Sequence, residues 1–332
     1  MQFAPTILEH AAVLIGRTPS EVAQDAQLLA DAHLAAYRRY RPAAVTVGMD
    51  IYNIEAEALG CTVRFYSDNS IPGIVERPAT VGATAVAHKE QCAKLGRPDV
   101  KYSGRIGLLL EAAVAVKHEI ASEVPVNIAI CGPFSILTEL LGYENAIDAL
   151  CDEPEHTHAL LAQILDFQKA YCTEIATLKL GAVVFESWAS PPLITPAMYR
   201  EFALPYEIEL FAHMKALDFP ARPLVIGGDT RGIVDDMLMS GTTILLSDYN
   251  APLDLYVQKA REKGLPVRAN IDPKLILTGD WQQITQRVQK IAAQAQEYPK
   301  LIVGSGVVPY DTPPENLLRV KEMINSIPLS RA

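Results

Sequence analysis

Apolar residues along the chain follow two rhythms in alternation, helical spacing and short strand-like runs. "SEVAQDAQLLADAHLAAYRRY" (20–40) has helical spacing, and Ser20 after Pro19 reads as its start. The run "AAVTVGMDIY" predicts a strand that passes into a helix through Glu57. "CTVRFYSDN" alternates like a half-exposed strand, and the Gly- and Pro-bearing stretch Ser70–Ser103 predicts loops. "PVNIAICGPF", "AVVFES", "PLVIGGDT", "TTILLSDYN", "PVRANIDP" and "KLIVGSGVVP" predict further strands. Helical patterns separate them, one starting at Thr195-Pro196 where proline suits the first turn. About seven strand–helix units with short turns predict a single α/β domain over residues 1–332, a (β/α)8 TIM-type barrel with extra N-terminal helices.

Composition narrows the function. A net charge of −10, with no basic run longer than a pair such as Arg38-Arg39, argues against nucleic acid. No apolar run is long enough for a membrane span, and no basic-then-apolar leader opens the chain, which predicts a cytoplasmic protein. Five scattered cysteines (Cys61, Cys92, Cys131, Cys151, Cys172) without CxxC spacing read as reduced thiols. Neither GxGxxG nor GxxxxGK[ST] opens a helix, and GxSxG and HExxH are absent. The seven histidines fall in predicted helices or flanking loops, where structural roles predominate.

The predicted strands end in polar groups: Asp50 with Tyr52 and Asn53, Glu186, Asp229, Ser247-Asp248, Asn270 with Asp272, and Ser305. In a barrel these ends meet at one mouth. Singly, Asn53 or Asp272 could cap a following helix, and Glu55 and Glu57 could favour a helix N-terminus. Together they read as the wall of a site, with Asp50, Glu186 and Asp248 as catalytic candidates. Tyr52, Asn53, Trp188, Asn270 and Ser305 are the substrate-binding candidates.

"CGPFSILTELLGYENAIDAL", "ASPPLITPAMYREFALPY", "VIGGDTRGIVDDMLMSG", "RANIDP" and "VGSGVVPYDTPPENL" resemble, in order and spacing, the uroporphyrinogen decarboxylase superfamily. That resemblance implies a (β/α)8 barrel and either decarboxylase or corrinoid-linked methyltransferase chemistry. The arginine-rich N-terminal segment of the decarboxylases is not matched by "ILEHAAVLIGRTPSEVAQDAQLLADAH". The H-x-C plus Cys zinc site of the methylcobamide:thiol methyltransferases falls on Val225, Gly227 and Ser305, none of them a competent zinc ligand set. The segment from His10 to Cys61 is similar to methyltransferases that demethylate methoxylated aromatics. Some of those enzymes are thought to hold zinc through two Glu and a His. Glu186 and Glu201 have the spacing of the two glutamates, and the strand carries Arg222 or Val225 where a His would stand, which leaves zinc open.

The resemblance thus implies an enzyme that takes the methyl group from an aryl methyl ether and hands it to the Co(I) corrinoid (cobalamin) of a partner protein. Asp50 or Glu186 would donate the proton to the departing phenolate. The expected partners are the corrinoid protein and a small aromatic ether, with a second copy of the chain as a further candidate. The alternatives are a lyase of the same superfamily, a methylcobamide-linked enzyme with another acceptor, or a non-catalytic tetrapyrrole-binding protein.

Overall fold

The computed structural model describes residues 1–78 and 99–327. Cys92, His88 and the middle of the loop region expected over Ser70–Ser103 lie outside the described residues. Ten strands are described: β1 (Gln2–Thr6), β2 (Val45–Val47), β3 (Thr62–Arg64), β4 (Gly73–Glu76), β5 (Val126–Cys131), β6 (Gly181–Phe185), β7 (Leu224–Val225), β8 (Leu245–Ser247), β9 (Val267–Ile271) and β10 (Leu301–Val307). Eight of them form two four-stranded parallel sheets, in the orders β2-β5-β6-β7 and β8-β9-β10-β1. Strand order therefore follows chain order, as in a (β/α)8 barrel drawn as two arcs. Single backbone hydrogen bonds bridge the two seams: Ala43 N donates to Phe3 O at 2.9 Å, and Thr243 N to Arg222 O at 3.1 Å.

One element departs from the sequence expectation, and a second follows it in a place outside the barrel. Gln2–Thr6 is a strand paired with β10, so the N-terminal helices lie inside the first strand–helix unit: His10–Val13, and the helix expected over 20–40, which is split into Pro19–Val22 and Ala26–Tyr40. The half-exposed run from Cys61 becomes β3, which pairs antiparallel with β4 in a hairpin outside the parallel sheets.

Helices cover the outer face of the strands. Ala26–Tyr40 is capped by Asp25, whose side chain accepts from Leu28 N at 2.9 Å, and it buries Leu29, Leu34 and Tyr37. Trp281–Glu297 buries Ile284, Val288, Ile291 and Ala295, an i, i+4, i+7, i+11 stripe. β5 and β6 are covered on both faces, hence their nearly unbroken apolar runs VNIAIC and GAVVF. A separate apolar cluster, Leu8, Ile51, Ala129, Val183 and Phe185, fills the space between strands, with Tyr52, Val225 and Val307 packed on it. No helix among the described residues is long and apolar enough to cross a membrane.

Candidate functional site

Parallel pairing carries the strand C-termini to one side, and the polar residues there form two adjoining groups. The first begins where β2 runs out at Gly48. His33 Nε2 lies 2.9 Å from the Gly48 carbonyl oxygen, and its burial lowers the imidazole pKa to about 4, so this histidine is a neutral structural group. Asp50 follows, and Arg105 holds it with two hydrogen bonds: Nη1 to Oδ1 at 2.9 Å and Nη2 to Oδ2 at 2.7 Å. The Arg105 Nε donates to Glu57 at 2.6 Å, and its guanidinium lies 4.9 Å from the centre of the Phe65 ring. Asn53 donates to Asp50 at 2.9 Å and to the Pro72 carbonyl at 2.5 Å. Instead of capping helix Ile51–Ala58, Asp50 and Asn53 bind this helix to the start of the next one and to the hairpin.

Glu186 ends β6. Its carboxylate accepts from Ser135 N at 2.5 Å and Phe134 N at 3.3 Å, in the first turn of helix Pro133–Leu141. Gly132 makes that seat possible, because a Cβ at that position would overlap the Glu186 carboxylate. Glu186 is fully buried, and desolvation raises its pKa to about 7 against the lowering effect of the two amides. Its charge also acts on buried Glu207, whose pKa burial and Glu186 push well up and whose Oε2 accepts from Tyr199 at 2.6 Å. Glu55, likewise buried and raised to about 7 by desolvation, accepts from Cys131 N at 2.7 Å. Tyr52 reaches Ser187, and its hydroxyl pKa is raised chiefly by burial. Trp188 turns aside from Glu186: its Nε1 donates to Glu139 at 2.7 Å and its ring stacks on Tyr143.

The second group closes the other arc. Asp248, at the end of β8, accepts from Gly228 N at 2.7 Å and from Asn270 Nδ2 at 3.1 Å. Arg287 donates to the backbone carbonyls of Asn270 and Asp248, fixing both strand ends. The two groups meet at Gly227. A Cβ there would lie 3.6 Å from Asp248 Oδ2 and 3.9 Å from Ser187 Oγ, so the two side chains flank the same gap. Ser305 is engaged elsewhere, since its Oγ accepts from Thr6 N at 3.3 Å and its carbonyl accepts from Thr6 Oγ1 at 3.2 Å, tying β10 to β1.

Of the candidates, Tyr52, Glu186, Asp248 and Asn270 surround this mouth through Ser187 and Gly227. Asp50 and Asn53 form one side wall with Arg105, Trp188 faces Glu139, and Ser305 lies in a strand junction. Three residues outside the sequence candidates enter the picture. Arg105 precedes a helix rather than ending a strand, and Glu207 lies on the inner face of helix Leu204–Ala216, so neither carries a strand-end signal. Glu9 follows β1, is buried, and is raised to about 7 by desolvation; a search for strands that recognised Gln2–Thr6 would have found it.

A zinc site through Glu186 and Glu201 has no support in this geometry. Both Glu186 oxygens are occupied by backbone amides, and Glu201 is exposed on the π-helical turn Tyr199–Ala203. Among the described residues no three His, Cys, Asp or Glu side chains are grouped to hold a metal ion.

A parallel α/β scaffold with acidic side chains gathered at the strand C-termini is the architecture of a barrel enzyme. The chain belongs to the uroporphyrinogen decarboxylase (URO-D) family, whose model matches residues 1–327. It is 27% identical over 268 residues to a uroporphyrinogen decarboxylase of Saccharopolyspora erythraea, covering 76% of this chain and 69% of that protein. It is 26% identical over 284 residues to the methylcobamide:CoM methyltransferase MtbA of Methanosarcina mazei, covering 84% and 78%. A solved methyltransferase from Methanosarcina mazei shares the fold with a TM-score of 0.78 at 19% identity, over 97% of this chain and 91% of that one.

Proposed function

We propose that the protein is a cytoplasmic methyltransferase that demethylates an aryl methyl ether, the methyl group passing to the corrinoid of a partner protein. The observation that carries this reading is the character of the mouth. Its floor is apolar, formed by the partly exposed Tyr52, Val225 and Val307, and the buried carboxyls of Glu186 and Asp248 lie at the adjoining strand ends. Arg105 at the wall is already bound to Asp50 and Glu57, and Arg287 to backbone carbonyls. A neutral aromatic ring suits such a surface, whereas a tetrapyrrole bearing many carboxylates would need cations free to bind it. The apolar Val225 also stands where, by family resemblance, the thiol-directed enzymes carry a zinc ligand.

Phenolate is a poor leaving group, so cleavage of the methyl–oxygen bond needs a strong nucleophile on carbon and a proton on oxygen. The partner's corrinoid supplies the nucleophile. Glu186 supplies the proton from Oε2, the oxygen held only by the long 3.3 Å contact with Phe134 N, because burial keeps its carboxyl protonated up to about pH 7. Tyr52 bounds the ring, and Asp248, held by Gly228 N and Asn270, accepts a hydrogen bond from a ring hydroxyl. Asp50 acts through the wall it forms with Arg105. General acid assistance of this kind contributes roughly 10²–10⁴-fold.

Incubation with reduced corrinoid protein and a panel of methoxybenzenes, assayed for phenol release, tests the reading. Release of a phenol from at least one ether supports it. Carbon dioxide release from uroporphyrinogen without any demethylation overturns it in favour of the decarboxylase branch.

A further inference from the structure

At the opposite end of the strands from this mouth lies a cavity of about 220 Å³. Val225 belongs both to the floor of the mouth and to the lining of the cavity, and Val183 and Phe185, which also line the cavity, pack in the apolar cluster beneath that floor, so this layer separates the two. Most of the lining is apolar, including Ala4 and Leu246, with Gln2, Thr6, Thr46 and Asn127 as polar exceptions. Arg268 on β9 projects into it.

The state of Arg268 is unusual for an arginine. It is enclosed by protein, and desolvation lowers its pKa to about 10, with only the charge of Asp248 acting the other way. Arg268 is half-buried and lines the cavity. Nη2 donates to Thr6 Oγ1 and to the Ser305 carbonyl, both neutral acceptors. Nε is buried without an acceptor, and among the described residues no carboxylate pairs with the guanidinium. Asp248, the acid whose charge it feels, is instead bonded to Gly228 N and Asn270. The neighbouring strand makes room for this side chain: a Cβ on Gly304 would overlap Arg268 Nε and crowd Asn270 Oδ1. A half-buried guanidinium with no carboxylate partner is costly unless something completes it.

We infer that this cavity is a second binding site, for a small monocarboxylate with an apolar body, whose carboxylate pairs with Arg268 and whose tail lies against Val183, Phe185 and Leu246. With Nη2 taken by Thr6 and Ser305 and Nε enclosed against Gly304, Nη1 is the nitrogen left to make a charge-assisted hydrogen bond to the carboxylate. The apolar lining disfavours phosphate or sulfate, which have no surface to bury there. This site stands apart from the proposed chemistry at the mouth and does not depend on it.

Hexanoate is the probe, with hexanamide as the neutral isostere and inorganic phosphate as the anion without a tail. Thermal unfolding of the full chain should shift upward and saturate with hexanoate, since a ligand that binds only the folded state stabilises it. Hexanamide and phosphate should give less than a tenth of that response at equal concentration. Arg268→Gln should abolish the hexanoate shift. Because that variant removes a buried side chain and could unfold, Ala221→Trp at the cavity lining serves as the second variant, blocking the space while leaving the arginine intact. Loss of binding in a folded Ala221→Trp protein supports the site. Equal shifts by hexanoate and hexanamide, or hexanoate binding undiminished in Ala221→Trp, overturn it.

Discussion

Glu186 is subject to two opposed influences, burial that favours its neutral form and two backbone amides that favour its charged form. Desolvation prevails, which is what a proton donor near neutral pH requires. Glu186→Gln keeps the shape and an oxygen for Ser135 N but cannot give up a proton. Its turnover of a methoxyarene should fall by roughly 10²–10⁴-fold, and by less for ethers of more acidic phenols. An equal loss across leaving groups would show that Glu186 only positions the ring. For the wild-type protein kcat should hold steady below about pH 7 and decline above it, because the protonated form is the active one. A kcat that rises through that pH would assign the limb to a base.

At the scale of elements, one side chain joins helix Ile51–Ala58 to helix Ile106–Ile120: Arg105, bound to Asp50 and Glu57. The Asp50 side chain is 1% exposed, so an Arg105→Met variant leaves its charge buried with Asn53 as a neutral donor and no opposite charge. Breaking a buried pair from one side costs about 3–5 kcal/mol, and urea unfolding of Arg105→Met should show a loss of that order. A change below about 1 kcal/mol would mean that the pair is energetically idle. Gly132→Ala tests the junction of β5 and its helix: the added methyl displaces the Glu186 carboxylate, so activity should drop together with that of Glu186→Gln.

These elements were unequally readable in the sequence. β5, β6 and β10 announce themselves as long apolar runs, and the helix beginning after Thr195 starts where Pro196 places it. Gln2–Thr6 is short and contains Pro5, and only its pairing with β10 makes it a strand. Leu224–Val225 shrinks to two residues because the polar stretch after it turns away to form the site. Asp50, Glu186 and Asp248 could be read as strand-end carboxyls. Their partners could not, because Arg105 arrives from 55 residues downstream of Asp50 and only the packed fold brings it there.

At the scale of the whole molecule, three acids among the described residues lie buried with carboxyl pKa values raised from 4.5 to about 7, Glu9, Glu55 and Glu186, and buried Glu207 is pushed well up beside them. Burial is the leading cause for each. In the unfolded chain such groups titrate near their ordinary value, so between about pH 4.5 and 7 the folded protein binds more protons than the unfolded one. Stability must then fall as pH rises through that window, by about 1.4 kcal/mol per pKa unit for each group at most. Acids with lowered values, such as Asp68 and Asp229, act in the opposite sense, but only below their ordinary value, where they lose stability as pH drops. Buried His33, lowered to about 4, and His10, also lowered by burial, oppose the carboxyls up to the ordinary histidine value of 6.5, because there the unfolded chain binds the extra proton. The raised carboxyls outnumber these two histidines, so urea midpoints measured from about pH 5 to about pH 7.5 should show a net decline. Glu55→Gln is the sharpest variant, because its Oε1 contact with Cys131 N survives as an amide oxygen while the titration is removed. That variant should be less stable than the wild type at the acid end, where Glu55 is protonated and uncharged, and should close the gap as pH rises toward neutrality. Midpoints that climb with pH, or a Glu55→Gln curve parallel to the wild type, would show that these carboxyls remain ionised inside the fold.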